Sequence, residues 1–233
     1  MTQIEEAFGV FRDEIYAQNG DSVMCSIHEA FGGLDGVRHN CLGCNLADAT
    51  SWIHNCLHSG LSGEHVSLEE FYFDYLIKLY LLVERIYVVF EIIVLPLEYR
   101  GRHFSTFQRV HKWANFIKHP KSFLLVHHPR FFMEGDTSPD EPFDPSKFGI
   151  IINQDFVLEY YGGPENNAKL HKLLTNKTDV AVLFPNIVEL TRNFSECIHE
   201  FVSVIRNNAV YREVLNSRST YDNYFEKPPE TTS

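Results

Sequence analysis

From Leu68 to Ile93, apolar residues return every three or four positions (Leu68, Phe71, Tyr75, Leu79, Leu82, Ile86, Val89, Ile93), and the pattern ends at Pro96. That period predicts one long amphipathic helix. Ser67 and Glu70 stand in capping-box register at its start, where hydroxyl and carboxylate each satisfy an orphan amide. A second helix is predicted from Ser105, which can serve as its cap. Phe107, Val110, Ala114 and Ile117 form its apolar stripe, and Pro120 stops it just after His119. Ile187, Leu190, Phe194, Ile198, Phe201 and Ile205 predict a helix over 186–206, with a shorter one near 210–215. A further helix is expected over 3–18 from Ile4, Ala7, Phe8, Phe11 and Ile15.

Between these helices the period changes. Ser122–Val126, Gly149–Ile152, Phe156–Tyr160 and Val180–Phe184 are short β-rich runs bounded by Pro, Gly, Asn or Asp, and read as strands. Residues 134–147 read as a Pro/Asp-rich surface loop and 167–176 as a short helix. Residues 21–66 are rich in Gly, Cys, His and Asn with weak periodicity, which predicts an irregular module with short helices. The expected fold is mainly α: a helix bundle with a small β-sheet insertion and an N-terminal irregular Cys/His module. Its divisions are 1–66, a bundle domain over 67–221, and a disordered tail over 222–233.

Charge adds a second layer. The chain carries a net charge of −11, yet from Tyr99 to Met133 there is no Asp or Glu, and seven Lys/Arg and five His fill that window. So uneven a distribution predicts a surface facing an anion. The acidic N-terminus has no signal-peptide pattern, and Lys78, Glu84, Arg85 and Glu91 interrupt the most apolar stretch. A core helix is expected there, not a membrane span. Five Cys, an odd number, imply reduced thiols and a cytoplasmic location.

Within the window, His111, Asn115 and His119 fall at i, i+4 and i+8, flanked by Lys112 and Lys118. All five are expected on one stripe, opposite the apolar one. An imidazole can move a proton near neutrality and lysines can hold phosphate charge. RNA cleavage through the substrate's own 2′-hydroxyl needs no metal. The plainer reading is the solvated side of a surface helix, with His119 capping carbonyls at its end.

The long helix followed by Ala114-Asn-Phe-Ile-Lys-His119 resembles the HEPN superfamily of four-helix-bundle proteins. Many of its members are metal-independent RNases of toxin and phage-defence systems. Their motif is Arg, a polar residue, three further residues and His, placed at a dimer cleft. Asn115 and His119 match its second and last positions, whereas Ala114 stands where the Arg belongs. The resemblance implies RNA as partner, a homodimer, His119 as proton carrier, Asn115 as orienting group and Lys118 beside them. Lys112, Arg109 and His111 would bind phosphate. It covers roughly residues 67–120 and the last long helix.

Cys25-x2-His28, twelve residues, then Cys41-x2-Cys44 has the spacing of a two-knuckle structural zinc site. His39, His54, Cys56 and His58 are alternative ligands, and chance clustering of ordinary thiols is the plain one. Two functions follow. One is a HEPN-like RNA-directed protein, working as a metal-independent RNase. The other is a non-catalytic interaction or regulatory protein with a zinc-stabilised module and a cognate protein partner. No membrane partner is expected in either.

Overall fold

The computed structural model describes residues 42–62, 67–118, 129–135, 142–160, 179–217, 219–220 and 223. In chain order these form α1 (Leu42–Ser62), α2 (Leu68–Ile92), α3 (Leu97–His103), α4 (Ser105–Lys118), β1 (Arg130–Met133), a 3-10 turn (Pro145–Lys147), β2 (Ile150–Ile152), α5 (Gln154–Tyr160), β3 (Val180–Phe184), α6 (Ile187–Arg206) and α7 (Ala209–Asn216). The chain is mainly helical with a small parallel sheet. The expected helix over 3–18, strand over 122–126, helix over 167–176 and tail lie outside the described residues. Among the described residues, no helix is long and apolar enough to cross a membrane.

Helix α2 is the axis of the molecule. The Ser67 side chain accepts the Glu70 amide at its start, as the sequence pattern requires. Its buried residues, among them Tyr75, Leu79, Leu82, Ile86 and Val89, wrap more than one side because α1, α4 and β1 all pack on it. The Tyr75 and Tyr72 hydroxyls tie α2 to α6, Tyr75 pairing with the Thr191 hydroxyl at 2.6 Å and Tyr72 donating to the Pro185 carbonyl.

The C-terminus of α2 closes in a Schellman motif. The Val94 amide donates to Glu91 O at 3.1 Å and the Leu95 amide to Phe90 O at 2.8 Å. Val94 occupies the left-handed position usual for glycine, at φ 52°. A β-branched residue is strained there, and with 79% of its surface exposed this side chain gains little packing in return. Val94→Gly is therefore expected to raise stability by about 1 kcal/mol, strain relief being partly offset by the entropy of a freer unfolded chain. An unchanged or lower urea midpoint would count against this assignment of strain. Arg100 completes the cap, donating to Leu95 O and Phe90 O, both at 2.8 Å. The first cation of the acid-free window is thus consumed at a helix C-terminus, and Arg100, Arg102 and His103 lie in the short helix α3.

Two other expectations are corrected. Residues 42–62, expected to hold only short helices in an irregular module, form the single 21-residue helix α1. Its buried stripe (Leu46, Ala49, Thr50, Ile53, Cys56, Leu57) mixes small and polar residues, so its period is faint until α2 covers it. Residues 154–160 are helix, not strand. The Asn153 side chain accepts the Phe156 amide at 3.0 Å, and the helix begins the connection from β2 to its parallel neighbour β3.

The sheet has the order β1-β3-β2 with both pairings parallel, Phe131 opposite Val182 and Ile151 opposite Ala181. Central β3 is an unbroken apolar run, as a strand covered on both faces must be. Phe184 at its end is wholly buried. It stacks on Tyr72 at 4.5 Å and Phe131 at 5.8 Å, and lies 5.8 Å from Trp113 and 6.2 Å from Phe73. These rings join sheet to bundle.

Candidate functional site

Helix α4 decides how much of the expected polar constellation survives folding. Phe107, Val110, Trp113, Ala114 and Phe116 are all buried, so its core-facing arc is wide. At 3.6 residues per turn His111 lies only about 40° from Phe107, beside the buried arc and not opposite it. The expected single stripe therefore divides. His111, Asn115 and Lys118 turn towards α2, Lys112 is half-buried next to them, and exposed Arg109 faces elsewhere. His119 lies outside the described residues.

The α2 side supplies partners the motif does not predict. His111 Nε2 is 3.3 Å from Glu84 Oε1, and Asn115 Nδ2 is 3.1 Å from His111 Nδ1. With the amide donating to Nδ1, the neutral ring carries its proton on Nε2, facing the carboxylate. Tyr80 and Tyr87 flank the ring at 5.4 and 6.3 Å. Lys118 Nζ stands 3.7 Å from the centre of the Tyr80 ring, a cation–π contact. Both nitrogens of His111 are engaged, so this residue clamps α4 to α2 and presents no donor to a phosphate. Glu84 was legible in the sequence as a charge interrupting an apolar helix; Tyr80 carried no signal.

Burial, the largest influence, lowers the His111 pKa from its ordinary 6.5; Glu84 opposes it, and Lys118 and Lys112 add to it. The unfolded chain therefore takes up this proton at a higher pH than the folded one. The stability tied to His111 is full above pH 6.5 and declines as pH falls below that value. His111→Gln is expected to flatten the loss of urea midpoint between about pH 7.5 and 5.5. Equal slopes for the two proteins would refute this assignment.

A second histidine of the window also meets an acid from another element. His103 Nδ1 lies 3.8 Å from Glu200 Oε1 on α6 and stacks on Tyr99. Ala114, at the motif's Arg position, is fully buried with 0% of its surface exposed. Charge that looked segregated along the chain is thus partly neutralised in space.

Of the proposed zinc ligands, Cys25, His28 and Cys41 lie outside the described residues, and Cys44 falls in the first turn of α1. Among the alternatives, His54 and His58 are exposed on one side of α1 with their rings stacked at 6.5 Å. Cys56 points into the core, where burial and then Asp74 push its thiol up to about 12. These three cannot share one ion. Ten helical residues, about 15 Å of rise, separate Cys44 from His54. Among the described residues no group of three or more His, Cys, Asp or Glu could hold a metal.

A cavity of about 270 Å³ opens at the carboxyl ends of the strands, the end of a parallel sheet where ligands characteristically bind. Glu134 follows β1, Asn153 and Gln154 follow β2, and Asn186 follows β3; α4 adds Arg109. Asn186 is committed to the backbone. Its oxygen accepts the Val188 and Glu189 amides, and its NH2 donates to Glu134 O at 3.3 Å. The Trp113 indole, which can only donate, takes the Gln154 oxygen at 2.9 Å. The Gln154 NH2 is then buried with no partner among the described residues. An Asn or Gln just after an apolar run was the only sequence signal for this site, and it acquires meaning once the strands are known to lie parallel.

No family model matches the chain, and no curated protein or solved structure compared with it is significantly similar.

Proposed function

We propose that this chain is a HEPN-like, RNA-directed protein that holds the phosphate backbone along α3 and α4. The observation that carries this reading is the charge of those helices. Arg102 and Lys118 are exposed, Lys112 is half-buried, and α4 bears no carboxylate of its own, while Arg109 lies on the opposite flank of α4. Phosphate contacts of this kind fix register without reading sequence. In the RNase form of the reading, His119 carries the proton, Asn115 orients, and the RNA 2′-hydroxyl attacks its own phosphate, so no metal is required. The same resemblance adds a homodimer with paired α4 helices. A structural zinc held by Cys25, His28, Cys41 and Cys44 would brace the residues around the start of α1 without entering the chemistry.

The second reading, non-catalytic binding, is favoured by two specific observations. Both His111 nitrogens are engaged, and the motif's Arg position is a buried alanine. Fluorescence anisotropy with a labelled single-stranded RNA tests the shared part of both. Affinity is expected to fall steeply with salt, and the combined Arg102→Gln, Lys112→Gln, Lys118→Gln variant to shallow the log–log slope by roughly 0.7 per charge removed. No binding, or binding indifferent to salt, would sink the RNA reading. Cleavage by the wild type that His119→Ala abolishes selects the RNase; intact RNA beside salt-dependent binding selects the binder.

A further inference from the structure

The cavity at the sheet's carboxyl ends uses neither Lys112 nor Lys118, and its lining is mixed in a way that a phosphate groove is not. One guanidinium, Arg109, lines it together with three carboxylates, Glu134, Asp155 and Glu189. The Asn153 oxygen is taken by the Phe156 amide, which leaves its NH2 group as a donor. Leu158, one of the few large apolar side chains with substantial exposure (39%), forms part of the wall.

We propose that this cavity binds a free α-amino acid with a cationic side chain. Its carboxylate would lie towards Arg109 and the Asn153 amide, its ammonium and side-chain cation towards the three acids, and its aliphatic stem on Leu158. Size permits it: about 270 Å³ holds on the order of nine waters at ~30 Å³ each, enough for a metabolite of this class. Charge agrees as well. A dicarboxylate would meet three like charges. A polyamine would set cations against Arg109 and leave the Asn153 donor unmatched. A molecule with one anion and two cations meets both sets.

The test uses the full chain in calorimetry and thermal-shift titrations with L-arginine, L-lysine, agmatine, spermidine and succinate. L-arginine or L-lysine is expected to bind with a Kd below about 1 mM and to raise Tm. Agmatine, which is arginine without its carboxylate, should bind at least about tenfold more weakly. Arg109→Gln should remove that preference, and Asp155→Asn and Glu189→Gln should each weaken arginine binding. RNA affinity should not fall in Glu189→Gln, which keeps this site distinct from the α3–α4 face. If neither amino acid binds at about 10 mM, or if agmatine and spermidine match arginine, the proposal is overturned, the second outcome leaving only general cation attraction to acidic residues.

Discussion

Ala114→Arg, which restores the motif residue that the sequence lacks, is expected to unfold the protein and not to activate it. Ala114 is fully buried on a face shared with Phe107, Val110 and partly buried Ile117. An arginine there would force an unpaired guanidinium into an apolar contact that also has no room for it. Loss of about 3–5 kcal/mol follows from the unpaired charge alone, a large share of the 5–15 kcal/mol that holds a typical domain together. Urea unfolding and near-ultraviolet circular dichroism would show it as a collapsed midpoint and lost tertiary signal. A folded variant with the wild-type midpoint and new RNA cleavage would overturn both the burial argument and the preference for a binder.

Phe184→Ala should be the most damaging apolar truncation in the molecule, costing about 3–5 kcal/mol. Its ring is packed among four others, from α2, α4 and β1. The loss would not stay local. Pro185 and Asn186 follow directly, the Tyr72 hydroxyl holds the Pro185 carbonyl, and Asn186 lines the cavity. Amino-acid binding should therefore weaken in any population that remains folded, whereas Phe184→Leu, which keeps most of the volume, should lose much less of either. Phe184→Ala with a near wild-type midpoint would mean that the sheet is not joined to the bundle through these rings.

Elements with a strong period and a local start signal were legible before any coordinates. Helix α2 begins at the Ser67 cap, and α6 follows the Asn186 cap with the apolar spacing expected of it. Helix α1 was not legible, because Ala49, Thr50 and Cys56 in its buried stripe give no hydrophobic signal without α2 against them. Helix α5 was misread because Phe156, Val157 and Tyr160 favour strands locally, while the Asn153 cap and the parallel crossover demand a helix. The site divided in the same way. His111, Asn115 and Lys118 could be placed together from their spacing, but Glu84 and Tyr80 reach them only across the α2–α4 contact.

By itself, the sequence determined the helical periods, the caps and the acid-free window, because each depends on residues close together along one chain segment. Tertiary structure decided what that window faces. It brought Glu84 to His111, Glu200 to His103, and Glu134, Asp155 and Glu189 around Arg109. It also set three strands in parallel so that their carboxyl ends share one cavity. Electrostatic attraction falls with distance through space and takes no account of separation along the chain. A segment without acids is therefore a basic surface only where folding brings no acids to it.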